Sequence, residues 1–235
     1  MNGNLSVIPT LDGSNTFYDH RVGQSYHSIN GALQESKHVF LVNGLIHYLE
    51  KYDPSTITIL EVGFGAGLNF LITADYCRRE NIRLEYTGIE PFPLQARLFV
   101  LGDYSKWLRD ETLWNNLASG YSGAWTPGAS IDFGSGIDLK LVKLPLLEYP
   151  SGHEFNMVFY DAFSPLSQPG MWLSESIDHV SSLLDKKGYF ISYSITGDVK
   201  RILRSRGFII EKPKGAAGKR EMLRAYRSSN SALNL

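Results

Sequence analysis

Cysteine is nearly absent: Cys77 is the sole example in 235 residues, so no internal disulfide can form and a reduced compartment is expected. No apolar run approaches the ~20 residues that cross a bilayer, so no membrane partner is expected. The opening Met1-Asn2-Gly3-Asn4-Leu5-Ser6 has neither a basic start nor an apolar stretch. That argues against a secretory leader and for a cytoplasmic protein. The six histidines lack metal-ligand spacing, so no metal is expected. Internal repeats and low-complexity tracts are also missing.

Charge is balanced overall, at −1, but not along the chain. Between Lys200 and Arg227 lie ten of the 23 bases and two of the 24 acids, leaving 13 bases and 22 acids elsewhere. Such asymmetry fits either a polyanion-binding face or a solvated helix and edge strand.

A 43% hydrophobic content with 12% aromatics suits one compact core. Residues 1–53 read as a small β element and a leading helix, with residues 54–235 as the main domain. In the first part, 5–11 and 16–18 flank an Asp12-Gly13-Ser14-Asn15 turn. The apolar residues of 32–51 recur at mixed helical spacing until Pro54. Thereafter strands at 57–62, 84–90, 139–143, 155–160, 188–195, 207–212 and 221–226 alternate with helices at 68–79, 93–117, 174–184 and 197–205. Alternation of this kind predicts a parallel, doubly wound sheet. The link from Lys212 to Glu221 is too short for a parallel crossover, so the seventh strand must run antiparallel. An α/β sheet closed by one reversed strand is the class I methyltransferase (Rossmann-like) pattern. Between 120 and 136, five glycines read as a loop whose aromatics Tyr121, Trp125 and Phe133 either cover a pocket or join the core.

The run Glu61-Val62-Gly63-Phe64-Gly65-Ala66-Gly67-Leu68-Asn69 ends a strand and opens a helix. Its glycines permit a tight turn and close backbone approach to a ligand, beside the positive end of a helix dipole. We read Glu61, Gly63, Gly65, Gly67 and Asn69 as cofactor-binding. GxGxG without the third glycine of GxGxxG favours a cofactor lacking a pyrophosphate. Glu90, at the end of the second strand, is placed to accept both ribose hydroxyls of an adenosine cofactor. Asp161 ends the fourth strand and faces the same crevice. An aspartate there orients an amine for methyl transfer. With an ordinary pKa near 3.9 against about 10.4 for an alkylammonium, taking its proton outright would cost roughly 9 kcal/mol. Phe163 and Pro165 form a slot for a planar base.

Several segments together resemble one family. They are Tyr26-His27-Ser28, Gly31 to Ser36, His38-Val39-Phe40, the glycine run, and Glu90-Pro91-Phe92-Pro93-Leu94. Three more follow: Asp161-Ala162-Phe163-Ser164-Pro165, Gln168-Pro169-Gly170-Met171-Trp172, and Gly218-Lys219-Arg220-Glu221-Met222-Leu223-Arg224. Nearly the whole chain is similar to the MnmD tRNA methyltransferases and to the N-terminal domain of bifunctional MnmC proteins. The resemblance implies S-adenosylmethionine as cofactor and the exocyclic amine of 5-aminomethyl-(2-thio)uridine, at the wobble position of a tRNA anticodon stem-loop, as acceptor. It implies Tyr26 and Asp161 near the cofactor, Asp161 as the active-site carboxylate, and a stand-alone enzyme without a fused oxidase domain. Lys219 and Arg220 match a basic element that serves either RNA or the seventh strand. One departure is Pro145, standing where the family carries an acid for adenine and leaving backbone groups or Glu148 for that task. Alternatives are an aminopropyltransferase of spermidine-synthase type, a methyltransferase on another RNA or small molecule, and a non-catalytic adenosine-binding subunit.

Overall fold

A computed structural model describes residues 4–216 and 218–227. The first three residues, Ala217 within the last link, and the stretch after Arg227 up to the expected domain end at 235 lie outside the described residues.

The N-terminal element is a three-stranded antiparallel sheet of β1 (Leu5–Pro9), β2 (Asn15–Asp19) and β3 (Gln24–Ser25). Asp12 closes its turn by accepting hydrogen bonds from Ser14 N and from the Thr10 and Ser14 hydroxyls. Helix α1 (Ala32–Ser36) then runs through a π-helical segment (Lys37–Ile46) into α2 (His47–Tyr52). The π segment explains the mixed spacing: its buried residues Val39, Phe40, Gly44 and Leu45 pair at intervals of five, the step of i→i+5 hydrogen bonding. Gly44 leaves room for Phe159 and Ile191, whose atoms would stand 3.3 and 3.4 Å from an added Cβ. Asp53 ends α2 in a left-handed conformation just before Pro54.

Among the described residues the main sheet has eight strands. In chain order the elements are β4 (Thr56–Val62), α3 (Leu68–Arg79), β5 (Arg83–Ile89), α4 (Ala96–Phe99), α5 (Thr112–Ala124), β6 (Ile131–Asp132), β7 (Ile137–Val142), β8 (Phe155–Tyr160), α6 (Ser174–Ser182), β9 (Leu184–Ser192), α7 (Gly197–Ser205), β10 (Phe208–Glu211) and β11 (Leu223–Arg227). The strand order is β10-β11-β9-β8-β4-β5-β7-β6. Strands β7, β5, β4, β8 and β9 run parallel, and β11 pairs antiparallel with both β9 and β10. The seven expected strands are present, and the two-residue β6 adds an eighth, antiparallel to β7 at the edge.

Strand alternation sorts the core into two layers. Ile57 and Ile59 of β4 face one side, covered by the helices of 32–52, α3 and α5; Leu60 and Val62 face the other, under α6 and α7. Thr196 caps α7 by accepting from Val199 N. Helix α5 extends seven residues past the expected end at 117, because Tyr121 and Ala124 continue the buried face of Leu113, Trp114 and Leu117. Gly120, Gly123 and Tyr121 therefore sit in a helix, not a loop. Tyr121 stacks on Phe99 at 3.8 Å, Trp125 meets Phe64 edge-on, and Phe133 is buried, so these aromatics belong to the core. Strand β9 starts at Leu184 rather than 188, bridging to Phe155 across a register shift.

Candidate active site

After β4 the chain moves to β5 and β7 on one side, then returns to β8 and β9 on the other. The crevice outside the carboxyl ends of β4, β5 and β8 is therefore the topological switch point. A cavity of about 530 Å³ opens there.

The glycine run shapes one wall. Gly63, Gly65 and Gly67 all have positive φ, at 91, 51 and 73°. An added Cβ at Gly63 would stand 2.7 Å from the Asp161 carbonyl oxygen, and one at Gly65 3.0 Å from the Tyr26 ring. The amides of Gly63 and Phe64 donate to Ile89 O, tying the turn to the end of β5. The half-buried Glu90 carboxylate accepts from Gly65 N at 3.3 Å and Phe92 N at 3.0 Å. Burial raises its pKa against those two bonds. Glu90, Gly63, Gly65 and Tyr26 all line the cavity. This cradle fits an adenosyl cofactor, for it combines a carboxylate with a backbone that no side chain shields.

Gly67, Glu61 and Asn69, expected as cofactor contacts, stand behind that wall. Gly67 backs onto the Phe64 ring. Glu61 is 1% exposed and accepts hydrogen bonds from Asn69 Nδ2 and the Tyr86 hydroxyl. The reason is the strand period: Val62 turns toward the cavity, so Glu61 turns into the opposite layer. Burial, then the Asp161 charge, pushes its pKa well up. Asn69 joins three groups, accepting from Ser36 Oγ and donating to both Glu61 and Asp161. Its role is to fix the Asp161 carboxylate. Pro145 and Leu146 line the cavity and Glu148 does not, which leaves apolar surface and backbone on that side.

Asp161 and Phe163 line the cavity, whereas Pro165 does not. The Asp161-to-Ser164 loop is held at every residue. Asp161 N donates to Val62 O, the Tyr193 hydroxyl to Ala162 O, Trp172 Nε1 to Phe163 O, and Ser164 reaches Gln24 Oε1. Tyr160 OH donates to Met171 O. The Gln168-to-Trp172 stretch thus braces the loop, and Gln168 and Met171 also line the cavity. Asp161 has its side chain 7% exposed. Burial, reinforced by the Glu35 charge and opposed by Asn69 and Lys219, pushes its pKa up to about 8.

Lys219 is exposed, but its charge is engaged within the fold. Its ammonium pairs with the buried Glu35 carboxylate at 2.7 Å and lies over the Tyr193 ring at 4.1 Å. Glu35 also accepts from Ser28 N, so Lys219 ties the last link to α1 and to the Tyr26–Ser28 segment. Much of the basic stretch is likewise neutralised within the fold: Arg201 with Asp198, Arg206 with Asp178, Lys212 with Glu221 and Arg224 with Glu211. Arg220 is exposed and makes no ion pair among the described residues. His27, Arg21 and Phe92 line the cavity without having been singled out from the sequence. For His27 the signal was available, between Tyr26 and Ser28 in a family motif. Among the described residues no three His, Cys, Asp or Glu side chains gather as metal ligands, and no helix is long and apolar enough to cross a membrane.

A family model described as S-adenosyl-L-methionine-dependent methyltransferase matches residues 111–228. The bifunctional tRNA 5-methylaminomethyl-2-thiouridine biosynthesis protein MnmC of Methylobacillus flagellatus is 32% identical over 222 residues, 88% of this chain and 33% of that protein. The MnmC of Campylobacter hominis is 32% identical over 184 residues, 74% of this chain and 26% of its own length. The chain thus spans about a third or less of these relatives. The crystal structure of MNMC2 from Aquifex aeolicus matches with a TM-score of 0.74 at 25% identity, over 94% of this chain and 70% of that one. Spermidine synthase from Thermotoga maritima shares the fold alone, with a TM-score of 0.55 at 12% identity, over 94% of this chain and 68% of that one. With half of its length under that model, and 32% identity to an MnmC protein over 88% of its length, the chain belongs to the S-adenosyl-L-methionine-dependent methyltransferases.

Proposed function

We propose that the protein methylates the exocyclic amine of 5-aminomethyl-(2-thio)uridine at the tRNA wobble position, giving the 5-methylaminomethyl nucleoside. The observation that carries this reading is a single cavity with Glu90 and the glycine cradle on one wall and the buried Asp161 on another. Similarity to the MnmC proteins supports this choice of acceptor. S-adenosylmethionine supplies an electrophilic methyl group. Glu90 accepts the ribose hydroxyls, Gly63 and Gly65 let the backbone approach, and Ile89, Pro145 and Leu146 offer an apolar face to the purine.

Asp161 orients the amine and does more than its sequence position predicts. With its pKa at about 8, the free-energy gap to an alkylammonium near 10.4 falls from roughly 9 to about 3 kcal/mol. Proton transfer from the bound ammonium to Asp161 then becomes affordable within an ordinary enzymatic barrier. Phe163, edge-on to Tyr26 at 5.4 Å, lines the slot for the uracil ring. The base must leave the anticodon stack to reach it. Arg220 takes the RNA role expected of the Lys219-Arg220 pair.

The reading is tested by labelled methyl transfer from S-adenosylmethionine to tRNA from cells lacking the last wobble-uridine methylation. Labelled 5-methylaminomethyl-uridine in the nucleoside digest supports it; cofactor binding without any labelled nucleoside overturns it.

A further inference from the structure

His27 is the one histidine on the wall of the cavity, and it is 7% exposed. Its backbone is held on both sides, with N donating to Thr16 Oγ1 and O accepting from Ser25 Oγ. The next amide, Ser28 N, is anchored to Glu35. Yet Nδ1 of this fixed, buried ring has no hydrogen-bond partner among the described residues. Buried polar atoms are rarely left so, because an unmade hydrogen bond forfeits the hydration it replaced. Nδ1 instead stands 3.9 Å from Asp161 Oδ2, across a corner of the cavity. That separation is too long for a direct bond and right for one atom between them. A nitrogen about 2.9 Å from each would see them at an angle of about 85°, so two N–H bonds of a tetrahedral amine reach both with a bend of about 12° each.

We infer that His27 is a second catalytic residue, whose Nδ1 accepts one N–H of the acceptor amine while Asp161 accepts the other. The inference rests on the proposed aminomethyl-uridine activity and deepens it. With both hydrogens held, the lone pair of the neutral amine is the one direction left and is aimed by the pair. That lone pair forms the new N–C bond as the bond between the methyl carbon and the sulfonium sulfur breaks, its electrons leaving with sulfur. Asp161 already holds the proton taken from the incoming ammonium and accepts the N–H through its carbonyl oxygen. The secondary ammonium therefore leaves with both of its hydrogens, and Asp161 returns its one proton to water. Burial lowers the pKa of His27, with Glu35 and Asp12 opposing and Lys219 assisting, so the ring is neutral and Nδ1 is free to accept in the Nε2–H tautomer. A further consequence concerns specificity. The monomethylated product has a single N–H when neutral and cannot satisfy both acceptors while presenting its lone pair. His27 therefore enforces one methylation per nucleoside.

The test compares the full-length wild type, His27→Phe and His27→Asn on two anticodon stem-loops, one bearing 5-aminomethyl-uridine and one its monomethylated derivative. Wild type should prefer the primary amine by about tenfold or more in kcat/KM, the worth of one hydrogen bond in a buried site. His27→Phe should lose about 10- to 100-fold on the primary amine, with S-adenosylhomocysteine affinity within about twofold, and its preference should collapse towards unity. His27→Asn, whose side-chain oxygen overlies Nδ1, should restore most of both. Independently of turnover, the Nδ1 nitrogen resonance of His27 should shift when the aminomethyl stem-loop is added and not when a plain uridine stem-loop is. An unchanged preference in a folded His27→Phe, or an unmoved resonance with the stem-loop bound, overturns the inference while leaving the parent activity standing. Failure of the wild type on both stem-loops sinks the parent reading, and this inference with it.

Discussion

Replacing Asp161 by asparagine should stabilise the protein while destroying its activity, and the stabilisation should grow with pH. The carboxyl group is buried, and its pKa of about 8 in the fold compares with 3.8 when free. Below 3.8 both states hold the proton and the carboxyl group carries no penalty. Between the two values the unfolded chain releases a proton that the folded chain keeps, so stability falls as pH rises. Each pH unit costs 1.36 kcal/mol, which amounts to about 1.6 kcal/mol at pH 5 and about 5 kcal/mol at pH 7.5. Asparagine has no such proton, and its amide oxygen still accepts from Asn69 Nδ2. Glu61 adds to the effect in the same direction, since the Asp161 charge is the second cause of its raised pKa. The assay is urea unfolding of both proteins, followed by tryptophan fluorescence at the two pH values. Asp161→Asn should be the more stable at both, with a margin that widens by about 3 kcal/mol between them. A margin independent of pH, or a wild type more stable at pH 7.5, would refute a buried, proton-holding Asp161.

Gly65→Ala places a Cβ 3.0 Å from the Tyr26 ring at a φ of +51°, so it should weaken S-adenosylhomocysteine binding by about tenfold or more in calorimetry. Glu90→Gln keeps the shape and removes the charge that would receive two hydroxyls; the expected loss of cofactor affinity is about 10- to 100-fold, with Asp161-dependent steps untouched. Lys219→Met strands the Glu35 carboxylate, 5% exposed, and should destabilise by about 1–3 kcal/mol, less than a fully buried pair because Lys219 is itself 41% exposed. The double variant Glu35→Gln/Lys219→Met should recover most of that loss. Arg220→Ala should lower the salt slope of tRNA binding by about one, which Lys219→Met should not.

The parallel run of the main sheet and the reversal of its last strand were legible because the decisive signals were local. Strand-helix alternation and a link of fewer than a dozen residues force β11 to reverse, whatever the tertiary context. The π segment was not legible in kind. A spacing of five reads as a blurred helix until it is known that Phe159 and Ile191 press against Gly44. The end of α5 was misjudged because glycine propensity outweighed periodicity on the page, whereas burial of Tyr121 against Phe99 outweighs it in the fold. Nothing local marked β6, two residues long and held by pairing with β7.

At the site, Gly63 after β4, Glu90 after β5 and Asp161 after β8 line the crevice because a strand ends there, whereas Tyr26 lines it from the N-terminal part and was marked by the resemblance alone. Direction was harder than position. Glu61 lies one residue from the cavity and turns away from it, which the alternation of β4 already implied, since Leu60 and Val62 read as one apolar face. Lys219 shows the limit of charge counting. A run of bases predicts a positive surface only if the carboxylates that meet it are also counted, and those are distant in sequence: Glu35 lies 184 residues before Lys219. Once the paired bases are set aside, Lys219 belongs to the catalytic corner. It offsets the Glu35 charge that raises the pKa of Asp161, and through Glu35 it holds the segment carrying His27. An assay of RNA affinity alone would therefore find little wrong with Lys219→Met. The pH dependence of turnover would expose it, for an unpaired Glu35 moves the Asp161 pKa further up and the rising limb of the profile with it.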